Sequence, residues 1–229
     1  MDISEALSTT RAMRRLTLDP VPEDAMARII DAGLRAPSGG NVQDWRFMTV
    51  TDKDVIGQLG VLYKDALGQL FGGHYKETND QVRAALAAGT EDRRIKQVAR
   101  VLDSSEHLAE HFGEVPLLVF GFNQSKDNPG SIWPALWSMC LAARAEGIGS
   151  TVTTVLGSFY PKETAEILDV PTEQGWIQHA CLPMGIPTGR WGVPDRKPLE
   201  KVVSHNRWGN IPPYSTPPIP ASVQQHVKP

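Results

Sequence analysis

Two short segments hold the side chains best suited to chemistry. The first is Arg11-Ala12-Met13-Arg14-Arg15. Arginine presents a planar fork of N–H donors that matches phosphate and carboxylate oxygens. The second is Ala36-Pro37-Ser38-Gly39-Gly40-Asn41-Val42-Gln43-Asp44-Trp45. Its glycines let a ligand approach the backbone closely, and Ser38, Asn41 and Gln43 offer side-chain hydrogen bonds. The familiar loops for nucleotides and for nucleophilic or zinc hydrolysis, GxGxxG, GxxxxGK[ST], GxSxG and HExxH, do not occur. Gly147-Ile148-Gly149-Ser150 lacks the third glycine of a dinucleotide loop. His107 and His111 stand four residues apart beside Glu106 and Glu110, which reads as an exposed helix face because no third metal ligand is evident.

Several elements must position these segments. Residues 2–15 read as a short amphipathic helix capped by Asp2 or Ser4 and running into the arginines. Pro22-Glu23-Asp24 opens a second helix, with Met26, Ile29, Ile30, Gly33 and Leu34 as its apolar stripe. That helix must stop near Ala36, since Pro37 disfavours helical geometry at the residue before it. Residues 47–51 form the first expected strand. Helices are expected over 54–72 and, broken at Gly89-Thr90, over 77–112. This stretch between the first two strands reads as a helical insertion that could form a lid, about 54–112. Residues 115–122 are nearly all apolar and predict a central buried strand. A helix over 134–146 ends at Gly147. Further strands are expected at 150–155 and 178–184, with a short helix at 162–168 between them. The sequence from 206 to 229 carries six prolines. Proline removes donors and fixes its own torsion, so this tail is expected to form neither helix nor central strand.

Helices and strands are mixed without strict alternation or tandem repeats, which favours an α+β fold. The expected organisation is one domain over 1–205 and a Pro-rich C-terminal arm over 206–229. A chain of 229 residues, 41% hydrophobic and 21% charged, buries a sizeable core without staples. It is too apolar to be disordered. Its net charge of −3 gives no support for a nucleic-acid or polybasic membrane partner. Cys140 and Cys181, the only cysteines, form neither a zinc pattern nor a disulfide framework and read as reduced thiols. The acidic start Met1-Asp2-Ile3-Ser4-Glu5 is unlike a signal peptide. No apolar run is long enough to span a bilayer, so the expected location is cytoplasmic.

The two segments are more specific together. Arg11-x-x-Arg14-Arg15, a helix, the APSGGNxQxW loop and then a strand resemble the nitroreductase superfamily of FMN-dependent oxidoreductases. Ser150 to Thr154, Leu182 to Pro187, and Arg196-Lys197-Pro198-Leu199-Glu200 resemble its later blocks in the same order. The likeness covers roughly residues 5 to 203. It implies a central, mostly antiparallel sheet flanked by helices, in an intertwined homodimer with FMN in clefts at the subunit interface. It implies that Arg11 and Arg14 hold the FMN phosphate and the ribityl or pyrimidine side, with Arg15 a further candidate. Pro37, Ser38, Gly39 and Asn41 match the loop along the flavin, and Gly40 matches a small residue on its substrate face. Val152, Thr153 and Thr154 match a segment at the ring edge, where a hydroxyl or backbone N–H reaches N5 or O4. Arg196 matches a late arginine directed at the phosphate. Ala12 stands where the family's motif has serine, and Thr10 where it has its first arginine.

The implied activity is an NADH- or NADPH-dependent reduction of a nitroaromatic, quinone or related electrophile. In that chemistry the cofactor carries the hydride and the protein orients it. One site serving two substrates in turn implies ping-pong kinetics. Two other readings stand beside it. One is reductive dehalogenation, as in the iodotyrosine deiodinase branch. That branch grips its substrate with a Glu-x-x-x-Tyr pair, whereas here Leu59 precedes Tyr63 and Phe71 precedes Tyr75. The branch that makes dimethylbenzimidazole carries Asp at the position of Ala12. The third reading is a flavin-binding protein without catalysis.

Overall fold

In the computed structural model, which describes residues 1–124 and 129–227, the central element is the strand β2 (Leu117–Asn123), buried along its whole length. It runs antiparallel to β1 (Trp45–Val50) on one side and to β4 (Ile177–Gly185) on the other. A two-residue strand, β3 (Gly149–Ser150), pairs antiparallel with β4. The order across the sheet is β1-β2-β4-β3. Successive side chains of a strand point to opposite faces, and the core divides accordingly. Leu118 and Phe120 join one cluster, while Leu117 and Val119 join the other. The ladder shifts register between Gly121 and Phe122. Beyond that irregularity His179 Nε2 lies 2.6 Å from Asn123 Oδ1.

The helices α2 (Glu23–Leu34) and α6 (Ile132–Ala145) supply the layer that packs with Leu117 and Val119. The opposite layer holds α3 (Lys53–Gly72), the end of α5 (Arg93–His111), α7 (Val155–Phe159) and α8 (Pro161–Ile167). Ile56, Leu59, Tyr63, Leu108 and Phe112 are buried there against the sheet. Between α3 and α5 runs α4 (Lys76–Ala87), which buries only Asn79 and Val82. The break at Gly89-Thr90 falls between α4 and α5, with Gly89 at a φ of 76°. Cys140 and Cys181 are both buried and unpaired.

By internal contacts the chain divides into two units. One is Ala12–Gly189, and the other is Met1–Arg11 together with Arg190–Pro229. Within the smaller unit, α1 (Ile3–Thr9) is capped by Asp2, whose Oδ1 accepts from the Glu5 N–H at 2.9 Å. It packs on α9 (Ala221–Gln224). His226 Nε2 lies 2.9 Å from Glu5 Oε1.

Three expectations need correction. The first helix ends at Thr9 instead of reaching residue 15. The hydroxyls of Thr9 and Thr10 bond back to the carbonyls of Glu5 and Ala6, Thr10 is extended, and residues 12–16 are drawn into pairing with Ser150 and Pro187. The strand expected over 150–155 is cut to Gly149–Ser150 and an isolated bridge at Thr153, because α7 starts at Val155. The Pro-rich tail does form a helix, the single turn α9, which starts right after Pro220 at a position where proline's missing donor is not needed.

Candidate active site

The larger unit brings three of the sequence blocks into one seam. Ala12 bridges Ser150 in parallel, and the Met13 N–H donates to the Ser150 carbonyl at 2.9 Å. Thr17 N–H reaches Ile186 O at 2.8 Å, and Thr188 N–H reaches Arg15 O at 3.0 Å. The arginine block is therefore an extended edge beside β3 and the end of β4. This geometry needs no helical propensity, since each backbone group finds a partner far away in sequence.

The two arginines of the seam behave differently. Arg15 is exposed and paired with Asp103 at 2.8 Å. Arg14 is half-buried, and its Nη1 donates to Ser104 Oγ on α5 at 3.2 Å. Arg14 has no carboxylate partner among the described residues, and burial pulls its guanidinium below the ordinary arginine range. A desolvated cation without a counter-charge is a ready position for an anionic ligand.

Beyond β3 the chain turns. Thr153 is buried and exchanges both backbone bonds with Cys181, at 2.9 and 2.8 Å. Its neighbours Val152 and Thr154 are exposed, so the three expected ring-edge residues split into one that faces inward and two that face out. The Thr153 hydroxyl lies 3.2 Å from the hydroxyl of Tyr63 on α3. Tyr63 is buried and stacked on Phe112, with ring centroids 3.9 Å apart. Burial pushes the Tyr63 phenol up, partly offset by the bond to Thr153 and the charge of Arg14.

A cleft of about 280 Å³ opens beside Arg14 and Arg15, with His107, Leu108 and His111 on one wall and Thr188 on another. The two imidazoles, read from sequence as an exposed face, stand 4.4 Å apart, and His107 is only partly exposed. Burial, with Arg15 and His111, lowers His107 below the usual histidine range. His111 Nδ1 lies 3.0 Å from Glu114. Among the described residues there is no cluster of three or more metal-ligating side chains. No helix among them is long and apolar enough to cross a membrane.

The loop Pro37–Asn41 is not in this seam. It leads into β1, at the sheet edge opposite β3, and three inter-strand steps separate those edges by about 14 Å. The loop is held by Gly39 N–H to Ser131 Oγ at 3.1 Å and by Gln43 N–H to Ser38 Oγ at 3.2 Å. Gly40, Asn41 and Gln43 all have positive φ, at 58°, 54° and 54°. The remaining site candidates, Arg11 and Arg196, belong to the smaller unit. There Arg11 lies beside the backbone of Gly192, and exposed Arg196 donates to the Asp195 carbonyl at 3.1 Å.

Sequence reasoning misses Ser104, weighs Tyr63 only against the Glu-x-x-x-Tyr grip, and reads His107 as part of an exposed helix face. The available signal was a tyrosine inside the apolar stripe of α3, whose hydroxyl had to find a distant partner.

Comparisons with known proteins make the chain an oxidoreductase. The chain belongs to the nitroreductase family, whose model matches residues 7–186. A protein from Thermus thermophilus named NADH dehydrogenase is 29% identical over 213 residues, spanning 89% of this chain and 95% of that one. The 5,6-dimethylbenzimidazole synthase of Rhodospirillum rubrum is 27% identical over 193 residues, 82% of this chain and 83% of that one. In fold, the chain is similar to the crystal structure of the FMN and NADPH-dependent nitroreductase NfnB from sphigopyxis sp. strain HMH. The TM-score is 0.65 at 22% identity, covering 91% of this chain and 100% of that one.

Proposed function

We propose that the protein is an FMN-dependent enzyme that uses NADH or NADPH to reduce nitroaromatic, quinone or related small electrophilic acceptors. The observation that carries this reading is Arg14, half-buried and facing no carboxylate among the described residues. Its donor fork fits the electron-rich pyrimidine side of a flavin. When bound, FMN would supply a two-electron carrier that takes hydride from the nicotinamide and passes it to the acceptor. Arg15, Ala12 and the outward-facing Val152 and Thr154 would line the same region, with Thr153 behind them. Arg11 and Arg196 are the proposed phosphate ligands. Ser38, Asn41 and the glycines between them, after Pro37, are the proposed loop over the ring.

Loop and seam lie at opposite edges of one sheet. A second copy of the chain would bring its loop to this seam, and that arrangement favours a homodimer. The exposed Trp208, Ile211 and Tyr214 of the C-terminal arm are residues that a partner surface would cover.

The purified protein should be yellow and release FMN, not FAD, on denaturation. It should oxidise NADH or NADPH with a nitroaromatic or quinone, giving parallel double-reciprocal lines. A colourless protein that takes up no added FMN overturns the reading. Removing residues 207–229 should weaken the dimer in light scattering. A truncated chain that stays dimeric and yellow removes the arm from that role.

A further inference from the structure

The turn that follows β3 has two jobs that conflict. It must leave the sheet immediately, because α7 starts at Val155, and it must hold Val152 and Thr154 outward at fixed angles. Its backbone pairing ends at Thr153 with the bridge to Cys181. Past that point the Thr154 carbonyl accepts from the Ser158 N–H at 3.0 Å, and the remaining tether is a side chain. The Thr153 hydroxyl accepts from the Val155 N–H at 3.4 Å, a long bond, and meets the Tyr63 hydroxyl at 3.2 Å.

Tyr63 is well suited to hold it. The phenol ring is 4% exposed and lies nearly parallel to Phe112, at 13°. It therefore has little freedom to swing away. Among the described residues its hydroxyl has Thr153 as its hydrogen-bond partner, and a buried phenol left without one is costly. Both ends of the bond are fixed independently, one by ring stacking and one by the bridge to Cys181. The charge of Arg14 also acts on the phenol.

We infer that Tyr63 is a positioning residue that acts through the Thr153 hydroxyl to set the turn Val152–Thr154 against the flavin edge. The inference rests on the flavoenzyme reading above. Tyr63 itself sits behind the turn and touches no reacting atom. A phenylalanine keeps the stack and the volume and removes only the bond.

The test is FMN titration of apoprotein, followed by flavin fluorescence and the visible bands, for wild type, Tyr63→Phe, Thr153→Val and the double variant. Melting of each apoprotein is measured alongside. Each single variant should raise the FMN dissociation constant by about three- to tenfold, the range for one lost hydrogen bond, and shift the bands of the bound flavin. The double variant should be no worse than the weaker single, since both remove the same bond. Apo melting of Tyr63→Phe should move by only a few degrees. If wild type binds FMN and both single variants bind it equally well with unshifted bands, the inference is overturned. It is also overturned if affinity falls only in step with apo melting, or if the two losses add. If wild type takes up no FMN, the flavoenzyme reading fails first and the inference fails with it.

Discussion

The seam around Ala12–Leu16 and the loop Ser38–Gln43 are both rich in small and polar residues, yet they are held by opposite means. In the seam, backbone groups are paired across long sequence distances, and Thr153 is tied on three sides by Cys181, Val155 and Tyr63. In the loop, most residues are exposed, the side-chain bonds are few, and three residues have left-handed backbone. Left-handed geometry costs a non-glycine residue on the order of 1 kcal/mol, somewhat less for asparagine. The seam is thus rigid through packing. The loop holds its shape through local geometry and is the part with more freedom to adjust.

Substitutions can sharpen or break that contrast. The largest effect is expected for Arg14→Ala. It should raise the FMN dissociation constant by roughly one to two decades, because a charge-assisted bond is worth about 1.5–3 kcal/mol. Arg11→Ala and Arg196→Ala should do the same if each holds the phosphate. An unchanged FMN titration for all three would return them to the role of surface charges. Gly149→Ala comes next. A methyl there would sit 2.9 Å from Met13 Cβ and 3.1 Å from both Leu16 Cδ2 and Pro187 Cβ. Such overpacking costs about 1–3 kcal/mol and should lower the melting temperature by several degrees. Unchanged melting would mean that the seam is looser than its contacts indicate. In the loop, Gly40→Ala meets only Val42 Cγ2 at 3.6 Å, an ordinary contact, but at a φ of 58° it should cost about 1 kcal/mol in urea unfolding. Smallest of all is Gly39→Ala. A methyl there meets nothing within 4 Å, so unfolding stability should stay within about 0.5 kcal/mol. A larger loss at Gly39 than at Gly149 would reverse the comparison.

The sequence makes the sheet and helix layers readable because their signals are local. The apolar run at 115–122 becomes β2 with every residue buried. The expected helix 134–146 becomes α6, and Gly147 follows it at a φ of 76°. The seam is different, because what decides it is distant. Nothing within residues 10–16 indicates that Ser150 and Pro187 will pair with them, and local propensity favours continuing the helix. Thr151 to Val155 is rich in β-branched residues and reads as strand, although its backbone pairs for only part of that length. Arg14 was visible as a residue type, but its lack of a carboxylate partner among the described residues was not. Tyr63 enters the sequence reading only through the missing Glu-x-x-x-Tyr pair, because its hydroxyl's partner is ninety residues away.

The burial of both cysteines has a consequence for chemical durability. Quinones alkylate thiolates, and only the ionised sulfur reacts at a useful rate. Burial raises the Cys140 thiol and pushes that of Cys181 well above its usual range. The chain has no other cysteine. A protein built this way offers soft electrophiles no thiol on its surface. Reaction of Cys181 with a thiol reagent would then report how often the central sheet opens.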